Sequence, residues 1–180
     1  MKGVVFAVFK EMLETTFGED YFDDLVDATN PPSGGAYTTV GTYDHAELVA
    51  MVMEMSRRTG IAPPQLIQAF GKYMWGYFVE HFPQFFEFDD AFSFLSQLDS
   101  FHQLEVMKLY SDATVPRFQA EVSEDGSSMH LDYFSPRHFA DVAVGMMSGA
   151  FEHWNEDVSV EMIDMSEGDE QRIRFILTRN

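Results

Sequence analysis

The sequence predicts an α+β fold, with helices first and an antiparallel sheet towards the C-terminus. Three observations carry this. Apolar residues recur at helical spacing between Val4 and Phe82, alternate at period two after Pro116, and the runs are separated by Pro/Gly turn signals. At 180 residues the chain is long enough for one compact domain, taken as 1–180, with a core of its own.

The first helix is expected from Val4 to Phe17, where Val5, Phe9 and Leu13 fall on one face and Gly18 supplies a stop. Asn30-Pro31-Pro32-Ser33-Gly34-Gly35 cannot continue a regular element, so on the residues alone a lobe boundary falls near residue 35. Asp44 with Glu47 forms a capping pair, and Leu48, Val52 and Met55 form the stripe of a helix that stops at Arg57-Arg58 and Gly60. Pro63-Pro64 opens a further helix whose Leu66, Phe70, Met74 and Phe78 share a face as far as Phe82-Pro83. Short helical pieces are predicted from Phe88 to Tyr110.

Beyond Pro116 the period changes. Phe118, Ala120 and Val122 alternate, Asp125-Gly126 makes a tight turn, and Met129, Leu131 and Tyr133 alternate back as a hairpin. Ser135-Pro136 reads as the start of a helix with Ser135 as N-cap, presenting Phe139, Val142, Met146, Ala150 and Trp154 on one face. Val158, Val160 and Met162, then Ile173, Phe175 and Leu177, predict a second strand pair and hence four strands.

Composition narrows the function. With 30 acidic and 11 basic residues the net charge is -19, which repels nucleic acid and anionic lipid and suits a partner protein with a basic face. The chain has no cysteine, which excludes thiolate metal sites, a thiolate axial ligand and thioether-linked haem. The 18 Phe and 12 Met exceed what an ordinary core needs and suggest that something large and apolar is enclosed. The opening Met1-Lys2-Gly3-Val4-Val5-Phe6-Ala7-Val8-Phe9 has too short an apolar run for a signal peptide, and no stretch approaches a membrane span, which places the protein in the cytoplasm.

Six histidines occur, at 45, 81, 102, 130, 138 and 153, and none forms His-x-x-x-His, so a protein-only zinc site is not indicated. His102 stands out because Leu98, Phe101, Leu104, Val106 and Leu109 surround it, and a neutral imidazole on such a helix needs a partner. Iron is one such partner. In Tyr133-x-Ser135-x-Arg137 a phenol, a hydroxyl and a guanidinium share a face if the segment is extended, a set that holds an anion. Ser135 as a helix cap and Arg137 as a solvated first-turn residue is the competing reading. Gly-x-Ser-x-Gly, Walker and Gly-x-Gly-x-x-Gly patterns are absent, and no carboxylate spacing marks an acid/base pair.

Together the Met1-Lys2-Gly3 start, Phe82-Pro83, His102 after Leu98-Asp99, Ala113-Thr114-x-Pro116-Arg117 and Tyr133-x-Ser135-x-Arg137 resemble the haem nitric oxide/oxygen binding (H-NOX) family, which includes the haem domain of soluble guanylate cyclase. The resemblance runs nearly end to end. It implies a helical lobe of about 1–63 and an α/β lobe of 64–180 enclosing non-covalent haem b, iron protoporphyrin IX. It further implies His102 as the iron ligand, Tyr133, Ser135 and Arg137 as holders of the haem propionates, and Pro116 as the residue pressing on the porphyrin.

In oxygen-binding relatives a tyrosine donates to bound gas from the position that Val142 occupies here, and Val5, Phe9, Met74, Phe78 and Met146 are expected beside it. An apolar set disfavours oxygen, is compatible with carbon monoxide and suits nitric oxide, which needs no donor. Tyr73 and Tyr77 are expected to face elsewhere, about 100° around their helix from Met74 and Phe78. The resemblance implies a sensor, not an enzyme: nitric oxide releases His102 from ferrous iron, and the altered surface is read by a histidine kinase or a cyclic-di-GMP enzyme. The alternatives are a peroxidase-type haem enzyme, which needs a polar distal group, and a cofactor-free acidic interaction protein.

Overall fold

The computed structural model describes residues 1–109, 113–168 and 170–180. The helices α1 (Gly3–Phe17), α2 (Asp20–Thr29), α3 (His45–Thr59) and α4 (Pro63–His81) come first, and a 3-10 turn at Pro83–Phe85 leads to α5 (Ala91–Phe101). A π-helical turn, His102–Val106, carries α5 directly into the short α6 (Met107–Leu109). Then follow β1 (Arg117–Val122), β2 (Ser128–Ser135), α7 (Ala140–His153), β3 (Val158–Asp164) and β4 (Gln171–Arg179). The sheet order is β1-β2-β4-β3, with every pair antiparallel, so the α+β class and the four strands are as predicted.

Local signals explain the helix ends. Asp44 caps α3, accepting from the Ala46 amide at 2.9 Å, while Gly60 closes it in the left-handed region at φ 75°. Glu47 does not complete a capping box. Its buried carboxylate accepts instead from the Ser33 and Tyr37 hydroxyls, tying the Pro/Gly loop to α3. Burial and the neighbouring Glu47 push the Tyr37 phenol up to about 12. At the start of α1 only glycine fits, because a Cβ on Gly3 would lie 1.8 Å from the Thr38 carbonyl oxygen.

Two hydrophobic cores meet on α4. One gathers Phe6, Phe9, Leu13, Phe22, Leu48 and Met55 around Leu66, Phe70 and Met74, and borrows Phe139 from the segment before α7. The other packs Trp75, Phe92, Leu95 and Met147 on the inner sheet face of Met129, Leu131, Phe175 and Leu177. Each fully buried phenylalanine contributes roughly 2–3 kcal/mol from the area it removes from water.

Three expectations change. Helix α2 went unpredicted; it buries only Phe22 and Leu25, too few for a visible stripe. Helix α7 does not begin at Ser135-Pro136: Ser135 pairs with Gln171 as the last residue of β2, His138 takes a left-handed turn at φ 54°, and the helix starts at Ala140. In β1 only Phe118 is buried, because this edge strand overhangs the core and leaves Ala120 and Val122 exposed. In α1 the residues Phe6, Val8, Phe9, Met12 and Leu13 are buried and Val5 packs partly buried against the same core, so Val5, Phe9 and Leu13 share a face as predicted. Tyr110, the predicted end of the α5 run, lies outside the described residues.

Candidate functional site

A cavity of about 330 Å³ opens where the two cores meet, within the range of about 300–1,000 Å³ usual for small-molecule sites. One wall comes from the end of α5, the segment 113–116, and β1 and β2; the other comes from the chain start, α1, α4 and α7. His102, Pro116, Tyr133, Ser135 and Arg137 line it, and so do Val5, Met74, Phe78, Val142 and Met146. Phe9 does not. It lies edge-on to Phe70 at 5.2 Å inside the helical core, 1% exposed, because the four residues from Val5 to Phe9 turn the helix a further 40° or so away from the opening.

Tyr73 and Tyr77 stay outside, as their position around the helix implied. Tyr73 donates its hydroxyl to Glu11 at 2.9 Å, and Tyr77 stacks on His81 at 4.0 Å. A separate open depression of about 570 Å³ beside Phe134 and Arg172 contains none of the residues singled out from the sequence.

The His102 ring is oriented from one side. Its Nδ1 lies 3.2 Å from the Pro116 carbonyl oxygen; a carbonyl only accepts, so Nδ1 carries the proton and Nε2 keeps its lone pair. Burial holds the imidazole below its ordinary range, opposed by the Pro116 bond and by Asp99, so the ring is neutral. Asp99, one helical turn earlier, accepts from the Phe118 amide at 2.9 Å and joins α5 to the start of β1. No sequence pattern assigns Asp99 a role of its own, although it stands in the Leu98-Asp99 pair before His102.

On the same wall β2 delivers Tyr133 and Ser135 to the cavity through its period of two, and Phe134 to the opposite face of the sheet. Burial pushes the Tyr133 phenol up, so it remains a donor. Ser135 accepts from the Arg137 amide at 3.2 Å, which bends the chain so that Arg137 reaches the cavity edge and donates to the Thr114 carbonyl at 2.5 Å. Lys2 lines the cavity too. No Asp or Glu among the described residues does, although the chain has 30 of them.

This donor set fits a haem: an apolar slot, one neutral imidazole with a free lone pair, and a hydroxyl–guanidinium edge cleared of carboxylates. The Haem-NO-binding family model matches residues 2–162. The chain belongs to this family. Among solved structures, the Fe(II) unliganded H-NOX protein from K. algicida is 26% identical, with a TM-score of 0.89 over 100% of this chain and 97% of that one. A variant of the same protein is 27% identical, with the same score and coverage. The H-NOX protein from S. oneidensis in its Fe(II)NO state shares the fold at 22% identity, TM-score 0.89, covering 100% and 99% of the two chains. No curated protein matches by sequence.

H-NOX domains bind haem and sense gases such as nitric oxide for a partner; the family is one of sensors, not catalysts. No helix among the described residues is long and apolar enough to cross a membrane.

Proposed function

We propose that this H-NOX domain is a cytoplasmic nitric oxide sensor that holds haem b between its helical lobe, about 1–63, and its α/β lobe, 64–180, and signals to a histidine kinase or a cyclic-di-GMP enzyme. The observation that carries the reading is the contrast between the cavity walls. One offers an imidazole lone pair and three polar groups; on the other, Val5, Met74, Phe78, Val142 and Met146 offer no N–H or O–H donor, and its donors are Lys2 and the Trp75 indole. When bound, the haem would supply a ferrous iron able to bind a diatomic gas.

Within this reading His102 supplies the protein ligand through Nε2, and the Pro116 carbonyl fixes the ring and raises its basicity. Tyr133, Ser135 and Arg137 bind the propionates by charge-assisted hydrogen bonds, and the absence of carboxylates from the lining spares that edge from repulsion. Val142 gives a charge-accumulating oxygen ligand no donor, so oxygen gains little. Nitric oxide at the iron would release His102, whose ring would keep its bond to the Pro116 carbonyl beside the start of β1.

The test is the absorption spectrum of the ferrous, haem-loaded protein alone, in air and with nitric oxide. No stable oxygen complex, and a five-ligand iron with nitric oxide, are expected. An iron that keeps six ligands with nitric oxide refutes the release of His102.

A further inference from the structure

Helix α3 is apolar on two opposite faces. Leu48 to Met53 is an unbroken run of six apolar residues; Leu48, Met51 and Val52 turn into the helical core, while Val49, Ala50 and Met53 face out. Val49 is 39% exposed and Met53 53%, and Ala46, one turn earlier, extends the outward stripe. By helix geometry these four lie within about 100° of one another around the axis. A surface helix ordinarily carries its polar residues on that side. The charges stand instead at the ends of the stripe: Asp44 at the N-cap and Arg57 in the last turn, their side chains 67% and 72% exposed.

We propose that a second copy of this chain covers the stripe, with α3 lying antiparallel on α3 about a two-fold axis beside Ala50. Antiparallel pairing sets the acidic start of each helix against the basic end of the other. With the axis at Ala50, Arg57 falls within one residue of the other copy's Asp44, about 1.5 Å along the helix, and Met53 likewise falls within one residue of the small Ala46. Arg57 gives two N–H groups to Glu54 at 2.7 and 2.8 Å and has others left for a carboxylate. Charge also selects the occupant. A partner with a basic face needs carboxylates, which the stripe lacks. At -19 per chain two copies repel wherever their acidic surfaces meet, so an acid-free stripe is where they can approach. The 15 residues of α3 make a contact only about 22 Å long, which buries less than the roughly 800 Å² per partner of a standard interface, so the pairing is weak and reversible. The stripe faces away from Leu48, which lines the cavity, so pairing does not depend on how gas is bound.

The experiment is sedimentation equilibrium of the haem-loaded protein from about 10 µM to about 1 mM, with half-dissociation expected at roughly 100 µM. Met53→Glu buries a charge in the contact and should weaken pairing at least about tenfold. Met53 is exposed in the single chain, so the variant should keep its fold, which far-ultraviolet circular dichroism checks. Asp44→Asn keeps the helix cap, and Arg57→Gln removes the charge. Each should weaken pairing about two- to fivefold, the worth of two symmetric surface ion pairs, and the double variant no more than either alone.

A chain that stays monomeric up to about 1 mM overturns the proposal and leaves the stripe to a different protein. Pairing that is as strong in Met53→Glu as in the parent moves the interface off α3 and overturns it too. Additive losses at Asp44 and Arg57 refute the antiparallel arrangement, because two groups that face each other across the axis share a single contact to lose.

Discussion

The two walls of the cavity are built on opposite principles. On the side of α5, β1 and β2 directional bonds hold the wall: His102 to Pro116, Asp99 to Phe118, Ser135 to Arg137 and Arg137 to Thr114. On the side of α1, α4 and α7, Val5, Met74, Phe78, Val142 and Met146 meet the cavity through apolar contact alone. The difference teaches where each kind of specificity resides. In the proposed reading the bonded wall holds the cofactor, and the side chains of Val5, Met74, Phe78, Val142 and Met146 give the gas no donor.

Removing the strongest group of the bonded wall should have the largest effect. His102→Gly is expected to weaken haem binding by at least about a hundredfold, since even outer partners of a metal ligand are worth 10–100-fold, and added imidazole should restore it. A haem titration checks this, and retention unaffected by imidazole removes His102 from the iron.

Breaking the contrast from the other side comes next. Val142→Tyr places a donor on the apolar wall and should slow oxygen dissociation about 10- to 100-fold, the value of a hydrogen bond to a charged acceptor, with little change for carbon monoxide. Stopped-flow dissociation reads it; equal effects on both gases would mean that the new side chain acts by size.

Behind the bonded wall, on the outer face of β2, Asp132 is 5% exposed and receives Arg174 at 2.6 and 2.8 Å and Arg172 at 3.1 Å. The Arg174 bonds, then those of Arg172, hold its carboxyl below the ordinary range. Its stabilisation is therefore full above about pH 3.9 and fades as pH falls through the depressed value. Asp132→Asn should cost about 1.5 kcal/mol at neutral pH, and the gap to the parent should close in acid. Urea melts at both pH values test it, and a gap that does not change with pH excludes the charge as its source.

The smallest effect is expected at Phe9. Phe9→Leu should lower stability by about 1–1.5 kcal/mol and leave gas binding unchanged, because the side chain packs on Phe70 away from the opening. An altered carbon monoxide rate would return Phe9 to the cavity.

The bonded wall was the more legible in the sequence. Tyr133 and Ser135 follow from the period of a strand bounded by the Asp125-Gly126 turn, which Gly126 makes at φ 69°. Asp99 was visible as a residue but not as a clamp, because its partner Phe118 is a backbone amide that no side-chain pattern announces. On the apolar wall a spacing of four placed Val5 and Phe9 together, whereas the pitch of 3.6 separates them at the cavity edge. Ser135-Pro136 imitated a helix start, and only its pairing with Gln171 reveals that the strand continues that far. Helix α2 left little trace because Phe22 and Leu25 are its entire buried share within an acidic run.

Both tryptophans of the chain belong to one aromatic group: Trp75 lines the cavity, and Trp154 lies 5.7 Å from it, anchored by its indole N–H on the Phe88 carbonyl at 2.8 Å. The protein thus has a built-in optical gauge. A porphyrin in the cavity sits close enough to both indoles to quench their emission, so the intrinsic fluorescence should be dark when the site is filled and return as it empties, without any attached label.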